Sequence, residues 1–154
     1  MVDRKELEKA RNTCFRLLKF RPRSEYELRL YLKKKKFSHE VIEEVTRSFL
    51  NNGLIDDSVF AKLWIESRIK RPLGLRRIIF ELKTKGISDD IINDATSKYG
   101  SSENEEKIVE ELVSRKLKAM HGLDREKKKS RLWGLCLRKG FSKEVVYEVL
   151  NKSI

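Results

Sequence analysis

An all-α fold built from three tandem repeats is predicted by three features of the chain. No stretch alternates apolar and polar residues with the period of two that a half-buried strand requires. Apolar residues recur instead at helical spacing, as in Ala10, Cys14, Leu17 and Leu18. The third feature is a pattern that occurs three times. The only prolines, Pro22 and Pro72, each follow an arginine and stand 50 residues apart. From there Leu28 matches Ile78, Leu32 matches Leu82, Phe37 matches Ile87 and Ser38 matches Ser88. Val41-Ile42 matches Ile91-Ile92, and Val45 matches Ala95. Leu132, Cys136, Phe141, Ser142, Val145-Val146 and Val149 take the same places a third time, offset by 54 from the second copy. The expected repeats are residues 1–55, 56–100 and 101–154, each of three helices. Units of this size bury their apolar faces by stacking, so an elongated, curved array is expected.

In repeat one the first helix ends before Arg21-Pro22, since a residue preceding proline avoids the helical region. Ser24 is the expected cap of the second helix, with Glu27 three residues on completing a capping box. Leu28, Tyr31 and Leu32 form its buried stripe. Ser38 caps the third helix, Glu40 suits the positive end of its dipole, and Val41, Ile42, Val45 and Phe49 form its core face. Asn51-Asn52-Gly53 stops it. Repeat two opens on Asp56-Asp57 as cap. Phe60, Leu63, Trp64 and Arg68 continue the helix face. Gly74 stands where Ser24 stood, so a weaker helix start is expected there. Leu75–Lys85 is the second helix, Gly86 ends it, and Ser88 with Asp89 and Asp90 begins the third. Repeat three begins near Ser102-Glu103 and buries Ile108, Val109, Leu112 and Val113. Lys118–Asp124 is a longer connection, and Gly140-Phe141-Ser142 repeats the Gly86-Ile87-Ser88 turn.

Hydrophobic and charged residues each make up 39% of the 154 residues, and the formal net charge is +12. Such a chain has apolar side chain enough for a core, and it attracts polyanions: nucleic acid, an acidic protein surface or an anionic membrane. No run of about 18 apolar residues is present, so no membrane span is expected. The charged start MVDRKELEKARNTCF lacks the apolar centre of a secretion signal, and a soluble intracellular protein is the expectation. The basic residues cluster. Lys19 to Lys36 holds eight positive and two negative side chains, Arg68 to Lys85 seven and one, and Arg125 to Lys139 seven and one. Each window leads into the second helix of a repeat. Any one of them reads as a solvated face, but three at equivalent places can align into a basic stripe along the array.

No catalytic constellation stands out. Asp56-Asp57 reads as helix capping rather than metal binding, because adjacent side chains at a helix start diverge. The seven glycines are isolated, with no phosphate-cradling loop. Ser24, Ser38, Ser88 and Ser142 all lie at helix starts. Cys14 and Cys136 sit on apolar faces as small buried hydrophobes, and neither has a histidine nearby in sequence, so no metal and no cofactor are expected. Trp64 and Trp133 read as core packing before base stacking.

RPRSEYELRLYL (Arg21–Leu32), F-S-x-E-V-I (Phe37–Ile42), GLIDDSVFA (Gly53–Ala61) with Trp64, and G-L-R-R-I-I-F-E-L-x-x-K-G-I (Gly74–Ile87) resemble the RecX regulatory proteins of bacteria. The resemblance covers nearly the whole chain and is strongest from Arg21 to Ala95. It implies an all-α curved array of three three-helix units, cytoplasmic, monomeric and not an enzyme. It implies binding to the RecA recombinase in the groove of its filament on DNA, with damped ATPase and strand exchange, and in some members direct DNA contact. No catalytic residues carry over. The expected partner-facing or DNA-facing residues are Arg23, Lys33, Lys34, Lys35, Lys36, Lys70, Arg71, Arg76, Arg77, Lys127, Lys128, Lys129 and Arg131. One departure is Lys35-Lys36, where the later repeats have Lys85-Gly86 and Lys139-Gly140. A left-handed Lys36 costs about 1 kcal/mol relative to glycine, unless the turn closes differently. The rival reading is a general DNA-binding helical-repeat protein acting through the basic stripe. The acidic and apolar third helices do not suit base readout, which requires exposed Arg, Asn or Gln on a recognition helix.

Overall fold

The computed structural model describes residues 1–154. It contains nine α-helices and no strand: α1 (Arg4–Phe20), α2 (Glu25–Lys34), α3 (His39–Asn51), α4 (Asp57–Ile69), α5 (Leu75–Thr84), α6 (Asp89–Thr96), α7 (Ser102–Lys118), α8 (Arg125–Arg138) and α9 (Lys143–Ser153). Three helices fall to each of the three tandem repeats. By compactness the chain divides into two units. The first comprises residues 1–64 and 82–92, and the second comprises 65–81 and 93–154.

In the first unit α1 and α2 both pack on α3. Ala10, Cys14, Leu28, Leu32, Val41, Ile42, Val45, Phe49 and Ile55 form one buried cluster. In the second unit α7 and α8 pack on α9, around Val109, Leu112, Val113, Leu132, Cys136, Phe141, Val145, Val146, Val149 and Leu150. Most residues matched across the repeats are therefore core residues, for the reason the spacing predicts: i, i+3, i+4 positions share a helix face. Ile108, expected inside, is half-buried, and Leu63 is exposed. Arg68 does keep to an inner face, where its guanidinium makes a two-pronged ion pair with the buried Glu81, Nε donating at 2.8 Å.

The helix starts follow the expected chemistry with four differences. Ser24 Oγ accepts from the Glu27 N–H at 3.1 Å, which is half of a capping box. The Glu27 carboxylate does not close the other half. It turns to Arg21, Arg23 and Lys85, because three cations outbid one backbone N–H. Repeat three is capped by Ser101, one residue earlier than expected, with Oγ accepting from the Asn104 N–H. Ser142 sits at the N-cap of α9 without a side-chain cap bond. Its N–H donates instead to Glu105 on α7, as the Ser38 N–H donates to Glu6 on α1 at 2.6 Å. The acidic pair divides its work. Asp56 caps its own helix through the Ser58 and Val59 N–H groups, while Asp57 accepts from the Glu25 N–H at 2.9 Å and so caps α2.

The second helix of every repeat ends in the same six-residue turn. The N–H of Phe37, Ile87 and Phe141 returns to the carbonyl of Leu32, Leu82 and Cys136, at 3.1 to 3.2 Å. The residue before each is left-handed: Lys36 at φ 66°, Gly86 at 75° and Gly140 at 89°. The chain thus closes the lysine turn in the same way as the glycine turns. The glycines answer to a further demand. In the first unit Ser24 Oγ donates to the Lys85 carbonyl at 2.7 Å, and a Cβ on Gly86 would lie 2.3 Å from Tyr26 Cβ. In the second unit the Gly74 N–H donates to the Lys139 carbonyl at 2.7 Å, and a Cβ on Gly140 would lie 2.3 Å from the Arg77 nitrogen. The start of one repeat's second helix is thus pressed onto the lysine–glycine turn of the next. Gly74, which has no side chain to cap α5, is also a contact residue: its own Cβ would fall 2.2 Å from the Gly140 carbonyl carbon. No helix start hydrogen-bonds to the Lys35 carbonyl as Ser24 and Gly74 do to those of Lys85 and Lys139, and Lys36 bears the φ cost of its left-handed turn.

Two tests follow from these contacts. In urea unfolding, Gly86→Ala and Gly140→Ala should each lose more than about 2 kcal/mol, from left-handed strain plus displaced neighbours. Lys36→Gly should be neutral or gain up to about 1 kcal/mol. Equal losses at all three positions on substitution by alanine would remove the junction as the cause. The second test concerns Asp57, whose carboxyl is pushed above its ordinary value, first by burial and further by Glu25, Asp56 and Glu27. A raised folded value means that this group favours the fold in acid, and that the favour is lost as pH rises through it. Asp57→Asn keeps an acceptor for Glu25 without the charge. Its stability relative to the unsubstituted chain should therefore rise between pH 3 and 7, measured by thermal unfolding across that range.

Candidate partner-binding surface

The thirteen expected contact residues fall on both compact units. On the first, α2 runs out into Lys33, Lys34, Lys35 and Lys36, all exposed, with the Lys35 ammonium 5.5 Å from the Tyr31 ring centre. The position of the last two beyond the helix end follows from the turn just described. Arg23 is different. Its side chain is 21% exposed, it pairs with Glu27 at 3.7 Å, and its Nε is buried without a hydrogen-bond partner. It belongs to the anchoring of α2 together with Arg21.

On the second unit, Lys70 and Arg71 sit on the turn after α4, exposed, with the Arg71 N–H held by the Arg68 carbonyl at 3.0 Å. Arg76 and Arg77 open α5. Arg76 is exposed and makes no ion pair, while Arg77 leans on Glu81 at 3.3 Å. On α8, Lys127 and Arg131 are exposed and four residues apart, hence on one face. Lys127 also stands 3.8 Å from Asp124, a surface pair worth little. Lys128 is half-buried, and the Lys129 ammonium donates to Asn151 Oδ1 at 2.6 Å. A run of consecutive lysines on a helix turns through 100° per residue, so it cannot present one face. Arg23 and Lys129 are thus engaged within the protein, while Lys33–Lys36, Lys70, Arg71, Arg76 and Arg131 are exposed without an ion pair.

Sequence reasoning missed two cations on the second unit. Arg138 at the end of α8 and Lys143 at the start of α9 are exposed, and they line an open hollow of about 290 Å³ with Arg76, Arg77 and Phe80. Both lie in or just past the third basic window. Phe80 has no polar signal at all: it is a hydrophobic residue left 61% exposed.

No group of three or more His, Cys, Asp or Glu side chains is placed to hold a metal ion. Burial pushes the Cys14 thiol up to about 12 and raises Cys136 as well. Neither thiol has the lowered value that marks a reactive cysteine. Trp64 stacks on Phe60 at 5.8 Å and receives the Lys85 ammonium at 5.2 Å from its ring centre, while Trp133 packs on the core of the second unit. No helix is long and apolar enough to cross a membrane.

Tandem three-helix repeats with unpaired cations on their surface define the class of all-α helical-repeat proteins. Family models for the first, second and third three-helix domains of RecX match residues 10–46, 56–95 and 104–150. A protein named Regulatory protein RecX from Streptomyces coelicolor is 40% identical over 152 residues, covering 98% of this chain and 80% of that one. Its namesake from Prosthecochloris aestuarii is 31% identical, covering 96% and 95%. The crystal structure of RecX from Lactobacillus salivarius superposes with a TM-score of 0.81 at 20% identity, over 96% of each chain. A second crystal structure, of a regulatory protein RecX, gives 0.84 at 21% identity, over 99% of this chain and 81% of that one. The chain belongs to the RecX family of regulatory proteins.

The buried thiols give a direct check. Neither cysteine should react with a maleimide at pH 7 in the folded protein, and both should react in 6 M guanidinium. Rapid labelling of the native chain would show that one of the two helix faces opens.

Proposed function

We propose that this protein binds the filament that the RecA recombinase forms on DNA, lodges in its helical groove, and lowers its ATP hydrolysis and strand exchange. It acts as a monomer in the cytoplasm by binding rather than by catalysis, with repeats bounded at residues 1–55, 56–100 and 101–154. The observation that carries this reading is family membership along the chain. The surface supports it: a +12 chain whose exposed lysines and arginines are largely without internal partners suits a long anionic assembly. Contacts of this kind are rim-like and spread out, so binding should weaken with salt.

The test is DNA-dependent ATP hydrolysis by a bacterial RecA, with this protein added below the RecA concentration. Inhibition should be strong with the unsubstituted chain and at least tenfold weaker when Lys33–Lys36 and Arg76 are changed to glutamate. Equal inhibition by both would keep the filament reading and remove these residues from the contact. Inhibition only at concentrations that saturate the free DNA would favour the second reading, a general DNA-binding repeat protein, for which the unpaired cations are the specific support.

A further inference from the structure

The hollow on the second unit has a composition that a plain patch of charge lacks. Arg76 and Phe80 are four residues apart on α5, hence on one face. Arg138 closes α8 and Lys143 opens α9, and both line the same hollow. The hollow is built rather than incidental. The Gly74 N–H to Lys139 carbonyl bond and the close approach of Gly140 to Arg77 hold the start of α5 against the α8–α9 turn. Of its four cations, only Arg77 is paired, with Glu81. Arg76, Arg138 and Lys143 are exposed and make no ion pair. Among them stands Phe80, a rigid aromatic ring 61% exposed to water. An exposed phenylalanine beside three unpaired cations matches a ligand that repeats an anion next to a flat apolar face.

We propose that this hollow is a binding subsite for single-stranded nucleic acid, with Phe80 as the stacking platform for one base and Arg76, Arg138 and Lys143 holding the flanking phosphates. Stacking on an aromatic ring requires an unpaired base, since in a duplex the base faces are already stacked on each other. The subsite therefore prefers a single strand. The assignment needs no recombinase and rests on the second reading above, which it deepens: dependence on Phe80 and preference for a single strand separate this subsite from binding through charge alone.

The experiment is fluorescence anisotropy of a labelled 15-nucleotide oligothymidine with the full chain at low salt, beside the duplex of the same length. Phe80→Ala should weaken binding to the single strand about fivefold or more and leave duplex binding within twofold. Phe80→Trp should retain affinity, and its added tryptophan emission should be quenched by the oligonucleotide. Arg76→Gln combined with Arg138→Gln should lower the slope of log affinity against log salt by about 1.4, at about 0.7 per lost phosphate contact. Tyr147→Ala, at another exposed aromatic on α9, is the control and should change nothing. Circular dichroism and urea unfolding establish that each variant is folded. Unchanged single-strand binding by Phe80→Ala, equal losses on strand and duplex, or no binding by the unsubstituted chain would each overturn the proposal. So would tight polyglutamate binding that depends on Phe80, which would make the hollow a site for an acidic protein.

Discussion

A lysine–glycine turn ends the second helix of repeats two and three, and on it rests the first turn of the preceding repeat's second helix. The contact is backbone on backbone or nearly so: a Ser24 hydroxyl or a Gly74 N–H on the carbonyl of Lys85 or Lys139, with no room for a Cβ on the following glycine. Such a contact leaves little slack. It ties the starts of α2 and α5 to the turns that follow α5 and α8. Repeat one is the irregular one. Lys36 keeps the left-handed turn at about 1 kcal/mol, and no helix start bonds to the Lys35 carbonyl before it.

Ion pairs then sort the many cations into two kinds. Glu27 draws Arg21, Arg23 and Lys85 together, and Glu81 draws Arg68 and Arg77. Arg29 joins Glu25 on its own helix to Glu43 on α3, and its hydrogen bond holds the Glu43 carboxyl below its ordinary value. These arginines, partly shielded, work as struts. Cations outside these groups, such as Lys33–Lys36, Lys70, Arg71, Arg76, Arg138 and Lys143, have no acid within reach and stay in water. The strongly positive charge of the chain thus overstates the number of groups open to a partner.

The remaining polar and reactive side chains are largely committed to the fold. The two cysteines are core residues with raised thiols, Ser24, Ser38, Ser88 and Ser101 cap helices, Glu27, Glu43 and Glu81 brace arginines, and Asp56 and Asp57 close helix starts. Under the binding function proposed above, affinity would be distributed over many exposed side chains, each of modest worth. Specificity then depends on where rigid elements place those side chains. An aromatic ring such as Phe80, set among cations by a backbone junction, is one such place.

The helices, their order, the threefold repetition and most core positions were legible in the sequence, because they depend on residues one to eight apart and on caps within four. The pairing of Val145-Val146 with Val41-Ile42 identified buried positions without any coordinates. The family resemblance was legible for the same reason, since its motifs are contiguous. The roles of Gly74, Asp57 and Glu105 were not, because each serves a backbone group 30 or more residues away. Nor was the division of the basic residues. Lysines read from the sequence as one run are spread around a helix, and Arg23 and Lys129 find their partners in Glu27 and Asn151. Local periodicity decides which face of a helix is apolar. Only tertiary packing decides which charges on the other face still lack a partner.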